Sequence, residues 1–346
     1  MKKLLLGTLG AMLAFGVQAK MNVVATTADL ASIAKEIGGD KITLATLAKP
    51  TEDPHFVDAK PSFIVKLNHA DMVIEGGAEL ETGWLPALLN QSRNKKLAAG
   101  APGHVNCSTG VSMLDVPATL DRSRGDIHAA GNPHFAISPS NGKIIAQTIA
   151  AAMAENDPAN ADTYRANLKT FIAALDAKLV EWQNTLAPFK GRSVVAYHDS
   201  WPYFARELGL KIELFLEPKP GIPPTPSHLA EVIAKMKAEQ VRVIIVDAYL
   251  NRRTAETVAR ETGATVVPVT QFPGGIKGTE GGYIQLLDQL VGSLASAFEL
   301  PLTAKVKTMP SALGSHAVAL LVLTVAFNAA MRLRVCPPTL LNSPPA

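Results

Sequence analysis

Two cysteines in 346 residues, Cys107 and Cys336, leave no basis for a disulfide framework. No second cysteine lies at metal-ligand spacing from Cys107, which therefore reads as a small buried hydrophobe. An excess of one charge is also missing. Six of the 33 Lys and Arg residues fall in the first nineteen or the last forty-six positions. That leaves 27 against all 30 Asp and Glu in residues 20–300, a formal −3. Such a balance argues against a nucleic-acid partner. No apolar run is long enough to span a bilayer comfortably: residues 4–17 and 317–330 supply fourteen each, where about 20 are needed. Neither His-Glu-x-x-His nor Gly-x-Ser-x-Gly occurs, and no general base is marked by spacing.

What is present begins with an export segment. Lys2 and Lys3 precede the uncharged run 4–17, and Val17-Gln18-Ala19 is a small-residue cleavage site. Residues 1–19 are read as a signal peptide, and the mature chain, starting at Lys20, as soluble and periplasmic. No cysteine follows the cleavage site, so a lipid anchor is not implied. Residues 301–346 look foreign to the rest. They hold no acid, an apolar stretch and a Pro-rich end, consistent with a marginal anchor, an interfacial helix or the product of a shifted reading frame. The last is preferred because the preceding fold looks complete.

Between these ends the pattern alternates. Short β-rich runs occur at Val23–Thr26, Ile42–Leu47, Met72–Glu75, Ser193–Tyr197, Lys211–Phe215, Val241–Val246 and Thr265–Val269. Helical spacing follows most of them, at Leu30–Ile37, Ser62–Asn68, Thr82–Asn90, Trp201–Leu208, Ser227–Glu239, Thr254–Glu261 and Tyr283–Phe298. This predicts an α/β fold of parallel sheets flanked by helices. Asn160 to Leu186 carries apolar residues at three- and four-residue steps, including Leu168, Phe171, Leu175, Leu179 and Trp182. At 1.5 Å per residue it would run roughly 40 Å, enough to cross two lobes. The expected division is an N-terminal lobe over 20–155, a linking helix over 156–190 and a C-terminal lobe over 191–300.

Three segments each present a histidine: Asp53-Pro54-His55-Phe56, Asn132-Pro133-His134-Phe135 and Tyr197-His198-Asp199. The first two are near copies, each followed by a Pro-Ser pair (Pro61-Ser62, Pro139-Ser140) that opens an apolar helical stretch. His55 and His198 follow strands and His134 precedes a helix, and in open α/β sheets ligands bind beyond the strand ends. Three imidazoles on rigid loops are what a tight zinc site needs. The cleft between lobes is the expected place for the ion.

In these motifs the chain resembles the cluster A-I solute-binding proteins that deliver zinc or manganese to ABC importers. The resemblance covers residues 22–300 and rests on Asp53-Pro54-His55 with Pro61-Ser62, on Asn132-Pro133-His134 and on Tyr197-His198-Asp199-Ser200-Trp201-Pro202-Tyr203. Glu217-Pro218 through Pro226-Ser227-His228 and Glu280-Gly281-Gly282-Tyr283 add to it. It implies two lobes bridged by a long helix, His55, His134 and His198 as metal ligands, and an importer's membrane permease as partner. The family usually adds an acid after the last strand, where this chain has Gln271. The fourth position then falls to water, or to Glu280 from the following loop. The loop before His134 carries Asp126 and His128, and His128 is a candidate capture ligand, with a periplasmic metal chaperone as a candidate donor. Trp201 and Tyr203 are expected to wall the site and hold the His198 ring. The reading is a monomeric, non-enzymatic Zn2+ carrier. A zinc hydrolase with an open coordination position and a Mn2+ or Fe2+ carrier on the same fold are the alternatives.

Overall fold

The computed structural model describes residues 19–300 except 122, 124 and 126. The export run and the tail from 301 onward lie outside the described residues.

Among the described residues, eight strands form two four-stranded parallel sheets. The first joins β1 (Met21–Ala25), β2 (Ile42–Thr46), β3 (Met72–Glu75) and β4 (His104–Asn106) in the order β2-β1-β3-β4. The second joins β5 (Ser193–Ala196), β6 (Lys211–Phe215), β7 (Val243–Asp247) and β8 (Thr265–Val269) in the equivalent order β6-β5-β7-β8. Each sheet therefore belongs to its own lobe, as the alternating pattern predicts. Strand β4 is an addition, since His104-Val105-Asn106 has a single apolar residue and no alternation to betray it.

Nine helices are described: α1 (Ala28–Gly38), α2 (Pro61–His69), α3 (Leu85–Ser92), α4 (Pro139–Asn156), α5 (Ala161–Leu186), α6 (Pro202–Leu208), α7 (Pro226–Ala238), α8 (Arg252–Thr262) and α9 (Tyr283–Glu299). Five of them carry proline in their first turn, where its missing N–H costs nothing and its φ is already helical. Helix α3 starts three residues later than the pattern suggests. Residues 82–84 are held in turns instead, with the Thr82 N–H on Glu79 O and the Trp84 N–H on Glu81 O.

The pleat sorts the strand residues between two cores. Val23 and Ala25 of β1 face a central cluster, while Val24 faces an outer one with Phe63, Leu67 and Trp84. In β7, Val243 and Ile245 face the same central cluster, and Ile244 and Val246 face a separate outer one with Val232 and Val258. The central cluster thus runs from one lobe into the other. It includes Ile33 of α1, Ile149 of α4, Phe204 of α6 and Leu287 of α9. Helix α5, 26 residues long, buries Tyr164, Phe171, Leu175, Trp182 and Leu186 along one stripe against it. Two lobes sharing one apolar core do not swing freely, because separation would expose that surface at about 25 cal/mol per Å². No helix of the described residues is long and apolar enough to cross a membrane.

Candidate metal centre

The three predicted histidines converge. One nitrogen from each of His55, His134 and His198 lies within 4.8 Å of the others. Ring centroids are 5.1 Å apart for His55 and His134, 5.3 Å for His134 and His198, and 6.0 Å for His55 and His198.

Each ring is aimed by its Nδ1. His55 lies between β2 and α2, and its Nδ1 is 2.9 Å from Asp53 Oδ1, which also accepts its backbone N–H at 3.0 Å. Trp84 Nε1 donates to Pro54 O at 2.9 Å and fixes the turn from below. His134 Nδ1 is 3.1 Å from Gln271 Oε1. His198, two residues beyond β5, places Nδ1 2.7 Å from Glu217 Oε2. An acceptor at every Nδ1 keeps the proton there and leaves the Nε2 lone pair for the centre of the group. His134 Nε2 is buried and has no hydrogen-bond partner among the described residues. A buried acceptor without a donor costs about 1–3 kcal/mol, and a cation bound at this point would remove that cost.

The electrostatics agree. Burial, aided by the neighbouring imidazoles of His55 and His198, holds His134 well below the ordinary histidine range, so it is neutral at pH 7. Burial also pulls on His198, but the hydrogen bond and charge of Glu217 outweigh it and raise this ring. Burial alone would lift Asp53, yet its contact with His55 carries it below the usual carboxylate value. Asp247 is fully buried and pushed up to about 6 by that burial, although Trp201 Nε1 and Gln271 Nε2 both donate to it.

Gln271, at the place of the expected acid, is 6% exposed and acts as a holder. Its Oε1 faces His134, while its Nε2 donates to Asp247 and to the Tyr249 hydroxyl at 3.3 and 3.2 Å. Glu280 is exposed, accepts the Gly278 N–H at 2.8 Å and is not one of the converging group. The ring of His128 lies 5.2 Å from that of His55, at the edge of the cluster. The ring of His198 is held by Glu217; Trp201 and Tyr203, expected from sequence to do this, instead bond Asp247 Oδ2 and Asn132 O. Glu217 opens one of the motifs that carry the resemblance, but nothing in its spacing discloses this contact. A cleft of about 730 Å³ lies on the first lobe beside Glu75, Glu81 and His104, and none of the three converging histidines lines it.

Comparison with known proteins decides the family. The profile of the zinc-uptake complex component A, periplasmic (ZnuA), matches residues 23–297. The chain belongs to the ZnuA family. Among curated relatives, the iron-binding protein YfeA of Yersinia pestis is 29% identical over 81% of this chain and 86% of its own. The manganese ABC transporter substrate-binding lipoprotein scaA of Streptococcus gordonii is 28% identical over 71% and 78%. A crystal structure of ZnuA superposes with a TM-score of 0.69 at 25% identity, covering 80% of this chain and 99% of that one. A zinc-bound ZnuA lacking residues 138–173 of its own chain gives the same score at 26% identity, covering 82% and 99%. This ZnuA-family protein is a metal-binding, extracytoplasmic substrate-binding component of an ABC importer, and its partner is the importer's membrane permease.

Proposed function

We propose that this ZnuA-family protein captures Zn2+ through the Nε2 atoms of His55, His134 and His198 and releases it to the permease without chemical change. The observation that carries the reading is the convergence of three imidazoles whose Nδ1 atoms are all engaged, with the buried His134 Nε2 unpartnered among the described residues. Imidazole nitrogen favours zinc, whereas manganese prefers more oxygen ligands. Gln271 supports the same choice, since a neutral amide turned toward His134 contributes no anionic oxygen. Relatives named for manganese and iron make those ions the competing cargo.

The acids around the site favour carriage over hydrolysis. Asp53 and Glu217 are committed to imidazoles, and Asp247 to Trp201 and Gln271, so none of these three stands ready to activate water. His128, beside His55, serves as a capture ligand that receives zinc from a metal chaperone. The mature protein works as a monomer in the periplasm, exported by residues 1–19, with water as the fourth ligand.

Competition titration against a zinc chelator tests this. His55→Ala, His134→Ala and His198→Ala should each weaken zinc binding by more than about a hundredfold, beyond the range for groups that only support a ligand. Unchanged affinity in all three would refute the assignment.

A further inference from the structure

The His134 loop is tied to the lobe it does not come from. It precedes α4, which packs on α1, yet its contacts run across the boundary. Tyr283, opening α9, donates its hydroxyl to Ala136 O at 2.6 Å and Ser138 O at 3.1 Å. Its ring is 2% exposed, and a Cβ at Gly142 would lie 2.5 Å from its hydroxyl oxygen, so Gly142 keeps the passage open. Glu207, on α6, accepts the Ser140 N–H with both carboxylate oxygens at 3.1 Å and also accepts the Ser138 and Ser140 hydroxyls. A carboxylate from one lobe thereby caps the first turn of an 18-residue helix whose sequence belongs to the other. Helix α6 starts four residues after His198, so Glu207 and His198 ride on one short segment.

The ties of His55 are local by contrast. Asp53, which holds its ring and its N–H, and Trp84, which bonds Pro54 behind it, both come from the first lobe.

We propose that Glu207 and Tyr283 are positioning residues for the metal site, clasping the His134 loop to the second lobe so that His134 and His198 form one preset pair. His55 then completes the site from the other side. The proposal rests on the three-histidine reading of the site.

The test uses the full mature chain with Tyr283→Phe, which removes one hydroxyl and keeps the ring, and Glu207→Ala/Tyr283→Phe. Amide exchange in the metal-free protein reports on the clasp itself, and the exchange rate at Ser140 should rise in the double variant. Zinc affinity should fall about tenfold, the lower end for groups that support a ligand. The Co2+ d–d spectrum, which senses ligand geometry, should shift although no ligand is altered. A lower melting temperature alone would not move that spectrum. Unchanged exchange at Ser140 overturns the clasp. Faster exchange with unaltered spectrum and affinity overturns its positioning role. If the double variant fails to fold, Tyr283→Phe decides by the same readouts. A parent protein that takes up no metal overturns the three-histidine reading and this inference with it, even if the exchange result stands.

Discussion

The two Pro-His-Phe corners are nearly the same in sequence and opposite in surroundings. In both, the residue two before the histidine folds back on it: Asp53 Oδ1 and Asn132 Oδ1 each accept the histidine N–H at 3.0 Å. The difference lies in the remaining contacts. The same Asp53 oxygen also takes the Nδ1 of its own histidine. Asn132 has an amide nitrogen, which donates to Asp199 O on the second lobe at 2.8 Å. One side chain thus holds its own loop, and the other, through its amide nitrogen, also reaches across the cleft. The phenylalanine after each histidine is placed accordingly. Phe135 is 1% exposed in the shared core, whereas Phe56 is 69% exposed. One corner is part of the scaffold, and the other is a local turn on its surface.

The contrast between the corners is tested most severely at these aromatic residues. Phe135→Ala should lower stability by about 3–5 kcal/mol, the cost of emptying a fully buried ring site. Phe56→Ala should stay within about 0.5 kcal/mol, as for an exposed position outside the core. Urea denaturation of the two metal-free variants measures both. Equal losses would mean that the corners are equivalent and that scaffold and surface turn are a false division. Exchanging the turn residues gives the next effect. Asn132→Asp sets a carboxylate oxygen against Asp199 O in a site 8% exposed, and should cost about 1–3 kcal/mol while loosening the loop. Asp53→Asn keeps an acceptor for His55 and should cost less than about 1 kcal/mol. A larger penalty at position 53 than at 132 would contradict the assignment of the cross-lobe tie to the Asn132 amide nitrogen.

The histidines themselves are legible in the sequence because Pro-His-Phe and Tyr-His-Asp stand at the ends of recognisable strands and helix starts. The parallel sheets are legible for a similar reason: runs such as residues 243–246 are buried on both faces and read as unbroken apolar stretches. Strand β4 is not, since three residues with one apolar side chain carry no period. Nor are the groups that aim the rings. Gln271 lies 137 positions from His134, and Glu207 lies 67 positions from Ser140. Those pairings exist only once α6, α9 and the segment after β8 have folded against α4, and no local spacing encodes them. Gln271 in particular looks like a lost ligand in sequence and is a supporting acceptor in space.

The smallest effect, and the one with a sign to check, concerns protons. His134 is held below its ordinary value by burial, and His198 is raised by Glu217. A histidine with a lowered folded pKa refuses a proton that the unfolded chain accepts, so its contribution to metal-free stability falls as pH drops below about 6.5. A histidine with a raised pKa does the reverse: its contribution is fully present below about 6.5 and is lost as pH rises through the folded value. The two rings therefore bend the stability curve in opposite directions across the same window. Between about pH 5.5 and 8, which brackets that reference value, His134→Asn should make the metal-free protein relatively more stable on the acid side than the parent. His198→Asn should make it relatively less stable there. Denaturant midpoints for parent and both variants at the two pH values measure the difference. Shifts of the same sign would show that the two rings share one environment, and that the buried, cross-lobe character assigned to the His134 corner does not reach its imidazole.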